Sequence, residues 1–490
     1  LMFGGLILFL LLGYPVAFSL SAVGLSFGAL AIHLGYFPLV LLQALPERIF
    51  GIMSNQLLLS IPFFTFMGAV LERCGLAEDL LDTMGQLFGP IRGGLAYSVI
   101  LVGALLGAIT GTVAASVIAM GLISLPVMQR YGYDPRVSTG VIAASGTITQ
   151  IIPPSLVLVV LADAMGKSVG DMYAGAFIPS FILVGLFCLW IFIISIVWPE
   201  KVPALPKEVR TASVGVLFVR CMVSMVPSLV LIFMVLGTIL LGLATPTEGG
   251  AMGAAGALVL AIMNRRLNFK LLSESMDITL KLTAMVMFIL VGSTVFSLTF
   301  RGVDGDLWVE HMLSDLPGGK VGFLVFVNVF VFFLAFFLDF FEIAFIVIPL
   351  LAPAAEKLGI DLIWFGVLLG ANMQTSFMHP PFGFALFYLR GIAPRDTVPS
   401  SDIYWGAIPW VILQLMLVAI VILWPASVTY WLDKAPPVDP TKIEIRIPSL
   451  EMPGGPGLNI GPPPGMSGPG GIPGLSPPPG LSPPPGLAPP

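Results

Sequence analysis

The chain has 490 residues, of which 57% are hydrophobic and only 10% charged, with a formal net charge of -5. A soluble exterior carries roughly one charged residue in four, so a mean hydropathy of +1.00 excludes a soluble enzyme and requires lipid to cover much of the surface. No basic patch suits nucleic acid, and Cys74, Cys188 and Cys221 have neither zinc spacing nor the even number of a disulfide framework.

Taken in chain order, apolar runs between polar punctuation predict about ten membrane spans, near 1–12, 15–35, 52–71, 137–165, 173–198, 213–242, 247–263, 278–300, 362–390 and 404–431. The first run is short and lacks a basic leader, so it reads as the end of a helix rather than as a secretory signal. Two further segments, about 97–127 and 321–354, are too long for one crossing and are interrupted by Gly, Thr, Asp or Pro; each reads as a re-entrant helical hairpin. With the N-terminus outside, most loop Lys and Arg fall on the cytoplasmic side, among them Arg92, Arg130, Arg136, Lys201, Arg265 and Arg266. Only Arg48, Lys167, Arg301, Lys320 and Lys357 stay outside, as the positive-inside rule asks. From about 435 the chain turns to Pro, Gly and Ser, a tail that cannot bury enough apolar surface to fold.

The chain matches itself at an offset of 227 residues. Gly75 and Asp79 fall on Gly302 and Asp306, Pro126 on Pro353, Gly132 and Asp134 on Gly359 and Asp361, and Pro153 and Pro154 on Pro380 and Pro381. After a four-residue insertion, DMYAGA at 171–176 faces DIYWGA at 402–407. On the predicted topology the two copies enter the membrane from opposite sides. Inverted repeats with broken helices mark secondary transporters, whose solute site lies near the midplane between the copies.

The candidate site residues follow from the breaks. In ASGTITQIIPPS (144–155), Ser145, Gly146, Thr147 and Thr149 precede Pro153 and Pro154, which have no N–H and free the carbonyls of Thr149 and Gln150. Two readings stand side by side: a sodium site built on free carbonyls, and a proline kink patched by Ser and Thr hydroxyls. The second copy, NMQTSFMHPPFG (372–383), repeats the break with Asn372, Thr375 and Ser376 before Pro380 and Pro381, and His379 beside the pair reads either as a hydrogen-bonded packing residue or as a solute contact. The first hairpin turns near Thr110, Gly111 and Thr112. At the same offset the second hairpin places Asp339 and Glu342, carboxylates that are expensive at membrane depth and functional by default. Thr149, Asp339 and Ser376 are the sodium candidates, with proton carriage an alternative for Asp339; Glu248 reads as an acid at a helix N-terminus. An enzyme would need a nucleophile or metal set within the membrane, and the three histidines are scattered.

The motifs GYPVAF (13–18), SIPFFTFMG (60–68), LPVMQRYGYDPRVSTG (125–140), IIPPS (151–155), ATPTEGG (244–250), GIDLIWFG (359–366) and HPPFGFALFYLRGIAP (379–394) resemble the large membrane subunit of TRAP (tripartite ATP-independent periplasmic) transporters. The resemblance implies an all-α inverted-repeat elevator fold in a bacterial inner membrane, sodium symport, no other cofactor, and two partners: a small four-helix membrane subunit and a periplasmic solute-binding protein. It further implies scaffold helices at 1–94, a transport hairpin and broken helix at 95–172, linking and scaffold helices at 173–320, the second hairpin and break at 321–403, a last helix at 404–434 and the tail at 435–490. The His before the second Pro pair resembles a branch grouped with mannitol or chloroaromatic transport; a small organic acid is the expected solute class. The alternative is a stand-alone ion-coupled carrier of the same architecture.

Overall fold

The computed structural model describes residues 1–432 except 111–112, 207, 209–212, 380–382 and 395, with the backbone alone at 76–77, 109–110, 115 and 214. The predicted tail therefore lies outside the described residues. Every regular element among the described residues is helical. Among the described residues, six helices are long and apolar enough to cross a membrane: Val16–His33, Val169–Val197, Val214–Leu240, Pro246–Met263, Phe269–Gly302 and Ser400–Leu423.

Each segment expected as a hairpin is two helical stretches with a break between them. The first comprises Gly94–Thr110 and Val113–Arg130; the second comprises Gly319–Leu334 and a return arm from Phe340 to Lys357 that passes through a π-helical turn at Ile343–Val347. The expected spans 137–165 and 362–390 are each two pieces. Pro135–Thr147 ends in a 3-10 turn and resumes as Leu156–Met165, while Leu362–Met373 ends in Gln374–Met378 and resumes as Phe384–Ile392. Their shared start explains the Gly-x-Asp match. Gly132 (φ +77) and Gly359 (φ +68) take the left-handed conformation that a side chain resists, and two residues later an aspartate caps the new helix. Asp134 accepts from the N–H of Arg136 at 2.8 Å, and Asp361 from the N–H of Trp364 at 2.8 Å.

The helices differ from the sequence reading in several places, while the short first run is there as expected. The span expected at 52–71 is a helix only over Ser60–Arg73, preceded by a separate helix Leu45–Met53, and Met2–Leu11 is a ten-residue helix. Phe269–Gly302 runs well beyond the expected 278–300. Leu76–Phe88 and Gly305–Ser314 are short helices with an apolar side and a charged side, equivalent in the two copies and missed because neither is a continuous apolar run.

The copies interlock. Val16–His33 of the first copy packs on Phe269–Gly302 of the second, close enough at Gly24 that an added Cβ would stand 3.0 Å from the Phe296 backbone. Thr299 also donates its hydroxyl to the Gly24 carbonyl at 2.9 Å. In return Pro246–Met263 of the second copy packs on Ser60–Arg73 of the first, Gly253 meeting Met67. The exchange recurs at the breaks: Ser400–Leu423 crosses Pro135–Thr147 through Gly406 and Gly140, and Val169–Val197 crosses Leu362–Met373 through Gly175 and Gly366. Small residues at these crossings let backbones approach, which in lipid replaces the hydrophobic drive as the source of packing energy.

Candidate functional site

The first break is closed by its own surroundings. Ser145 and Thr149 lie against Gly103 and Gly107 of the first hairpin, so closely that a Cβ on Gly103 would come 2.7 Å from the Ser145 Cβ. Gly146 lies against Val117 of the return arm. The carbonyl of Gln150 accepts the Ser155 hydroxyl at 2.6 Å, and that of Ile151 accepts the Ser180 hydroxyl at 2.9 Å. At these two carbonyls the hydroxyl-patched kink is what the structure contains. Pro153 and Pro154 lie in the non-helical turn between the two halves. Thr110 closes its helix, while Gly111 and Thr112, at the hairpin tip, lie outside the described residues.

The second break is built differently. Position 382 is Phe where the first copy has Ser155, so the sequence offers no equivalent of that hydroxyl there. Asn372 donates through Nδ2 to the Asn328 carbonyl at 2.8 Å and to Asn328 Oδ1 at 3.0 Å; Thr375 donates its hydroxyl to the Asn372 carbonyl at 2.7 Å. Ser376 lines a cavity of about 220 Å³ together with Asp339 and Glu342, whose other walls include Leu10, Leu11, Tyr14, Leu338 and Phe384. Two of the three sodium candidates, Asp339 and Ser376, thus share one cavity. Thr149 belongs to the packed first break instead.

Asp339 and Glu342 also have a local task. Asp339 is the N-cap of the return arm and accepts from the Glu342 N–H at 3.1 Å; Glu342 reaches back to accept from the Asp339 N–H, also at 3.1 Å. This capping box satisfies orphan donors of the helix start. Glu248, read as a helix N-terminal acid, sits in the same arrangement with Thr245. His379 is buried between Phe332 (4.4 Å, edge-on) and Phe336 (4.3 Å, stacked). Pro380 and Pro381 lie outside the described residues.

Where the breaks cross, Thr147 accepts from Gln374 Nε2 at 3.5 Å, and the two are 227 positions apart. Residues exchanged by a two-fold relation can touch only beside its axis, so this contact marks the pseudo-axis between the copies. Gln414 of Ser400–Leu423 joins it, donating from Nε2 to Thr147 Oγ1 at 2.9 Å with Met378 Sδ 3.7 Å away. Asn328 and Gln414 were missed by the sequence reading. Each is a lone amide in an otherwise apolar helix, and that rarity was the available signal. Gln374 and Ser293 were also omitted; Ser293 donates to the Phe345 carbonyl of the π-turn at 2.7 Å.

Among the described residues, several buried polar atoms of the two breaks and of Gln414 have no hydrogen-bond partner: Ser145 Oγ, Thr149 Oγ1, Asn372 Oδ1, Gln374 Oε1 and Gln414 Oε1. Gln374 and Gln414 both meet Thr147, and unpaired acceptors on neighbouring amides suit a cation or a hydrogen-bond-donating solute. No cluster of three His, Cys, Asp or Glu able to hold a metal occurs among the described residues. A larger crevice of about 690 Å³, lined by Phe3, Phe27, Phe300, Phe326 and Leu350 among others, carries no charged side chain.

The family model described as the tripartite ATP-independent periplasmic transporter, DctM component, matches residues 3–427. The chain belongs to this family. A C4-dicarboxylate TRAP transporter large permease protein of Pseudomonas aeruginosa is 32% identical over 417 residues, 83% of this chain and 92% of that protein. One from Rhodobacter capsulatus is 27% identical over 445 residues, 87% and 97%. An isethionate TRAP transporter permease protein, DctMQ, of Oleidesulfovibrio alaskensis is 27% identical over 428 residues, 87% of this chain and 65% of that one. Among solved structures, the YdaH transporter of Alcanivorax borkumensis superposes with a TM-score of 0.58 over 86% of this chain and 98% of its own, at 15% identity, a likeness of fold. This TRAP large permease is thus an all-helical membrane permease whose relatives are transporters.

Proposed function

We propose that this TRAP large permease moves a small organic acid into the cell by sodium symport across a bacterial inner membrane. In this reading it works with a small four-helix membrane subunit and a periplasmic solute-binding protein. The observation that carries the proposal is the pair of broken helices crossing at the pseudo-axis, with one break packed shut and the other opening on a cavity with Asp339, Glu342 and Ser376. A cation in that cavity would be met by carboxylate oxygen and by the Ser376 hydroxyl. The solute would lie between the breaks, near Asn372 of the second break and the amides of Gln374 and Gln414 that meet at Thr147; their unpaired oxygens are acceptors and would serve a hydroxyl of the solute or a cation bound with it, not its carboxylate.

An elevator movement follows naturally from this division. The hairpins and breaks form the carried part, and Val16–His33, Ser60–Arg73, Pro246–Met263 and Phe269–Gly302 form the interlocked frame. Sodium bound in the second break would order it and complete the solute contacts, so that the loaded part crosses and the empty part returns. The carboxylate relatives support an organic acid as cargo.

The test is uptake into proteoliposomes that hold this permease with its small subunit. Binding protein loaded with candidate organic acids is supplied outside, and an imposed sodium gradient drives transport. Uptake that follows the sodium gradient and needs the binding protein is expected. Equal uptake with choline in place of sodium would overturn the coupling, and equal uptake without the binding protein would favour the stand-alone carrier.

A further inference from the structure

Gln414 is fully buried on Ser400–Leu423, yet it belongs to neither break and to neither hairpin. Its amide nitrogen donates to Thr147, the last residue of the first half of the first broken helix. The same nitrogen lies beside Met378, the last residue of the 3-10 turn in the second break. Thr147 has already given its own proton to the Ala144 carbonyl at 2.8 Å, so its oxygen acts toward the amides only as an acceptor. One side chain therefore touches both breaks at the pseudo-axis. In the first copy the corresponding position, four residues displaced by the insertion, is Leu183, so the repeat supplies this tie once and not twice.

A buried amide that loses its partner is costly. If either break moved away from the axis by more than about an ångström, the contacts of Gln414 would lengthen beyond hydrogen-bonding range. The side chain thus makes the order of one break depend on the order of the other. That dependence is what coupling requires, because two ligands influence one another only through an element whose state both of them bias.

We propose that Gln414 is a positioning residue that transmits ordering of the second break by sodium to the first break, so that the ion and the solute contacts form together. The proposal rests on the sodium-coupled reading above and adds the route by which the two halves communicate.

The experiment uses the purified full chain with its small subunit, sodium chloride as the probe against choline chloride, and hydrogen exchange read on peptides covering 144–152 and 372–379. In the wild type, sodium should slow exchange in both peptides, by at least about threefold, as local opening becomes less frequent. In Gln414→Leu, which keeps the volume and removes the amide, sodium should still protect 372–379 and no longer protect 144–152. Thr147→Val removes the acceptor while keeping the shape, and should give the same split even if Gln414→Leu folds poorly. Sodium protection of both peptides in these variants, or of 372–379 alone in the wild type, would overturn the proposal. Absence of protection at 372–379 in the wild type would instead overturn the sodium reading beneath it, and the proposal with it.

Discussion

Asp339 and Glu342 hold each other's backbone N–H groups at 3.1 Å, so each carboxylate is committed to the helix start by one of its contacts while both line the cavity at the second break. This separates two roles that a deletion would confuse. Asparagine caps a helix about as well as aspartate, whereas alanine costs typically ~1 kcal/mol. Asp339→Asn should therefore keep the melting temperature of the purified protein close to wild type and abolish sodium-driven uptake; Asp339→Ala should lose both. Unchanged uptake and sodium dependence in Asp339→Asn would leave the residue a cap and nothing more.

The paired amides of Asn328 and Asn372 give a prediction in which stability and transport part company. Asn328→Leu removes the side-chain oxygen that receives Asn372 Nδ2 at 3.0 Å, and weakening a buried amide's bonding costs about 1–3 kcal/mol. Replacing both by leucine removes donor and acceptor together, which is often near neutral. Thermal unfolding should show the single variant less stable than the double, while the double variant transports no solute because Asn372 is among the proposed solute contacts. A double variant no more stable than Asn328→Leu would contradict the pairing.

The crossing of Ser400–Leu423 over the first break tolerates no side chain. A Cβ on Gly140 would lie 2.3 Å from the Gly406 carbonyl oxygen, a backbone atom that cannot swing away. Gly140→Ala should destabilise by about 1–3 kcal/mol through overpacking. Gly185, on Val169–Val197, has no atom within 4 Å of the same position, and Gly185→Ala should leave the melting temperature unchanged or raise it. Equal effects of the two substitutions would show the close approach to be absent.

Asp134 and Asp361 start the two broken helices in the same way. Removing either cap as Ala should cost about 1 kcal/mol, the usual price of an N-cap. Thermal melts of Asp134→Ala and Asp361→Ala should show similar falls. A loss confined to one of them would mean that the repeat no longer carries equal stability in its two copies.

Much of this architecture was legible because proline and glycine act locally. Pro153 and Pro154 break a helix wherever it sits, and Gly132 and Gly359 demand positive φ, so the offset between copies could be read from such residues before any fold was known. What could not be read depends on neighbours. The patching of Gln150 by Ser155 and the closing of the first break by Gly103 and Gly107 are tertiary facts. Asn328 and Gln414 have leucines, Leu101 and Leu183, at their repeat positions, so comparing the copies hides them. Leu76–Phe88 escaped because its apolar residues alternate with Glu78, Asp79 and Asp82 and form a stripe rather than a run.

The interlocking of the copies also says something about how such a chain could arise. Val16–His33 rests on a helix of the second copy, and Pro246–Met263 on a helix of the first, so a half-length ancestor would have left one face of each without protein to pack on. Two such ancestors, inserted in opposite directions and exchanging these helices, would have satisfied each other. In that history, fusion of the two genes would join partners that were already assembled. The asymmetry between the packed first break and the open second break is the specialisation that fusion permits, since only after it can one half change without the other.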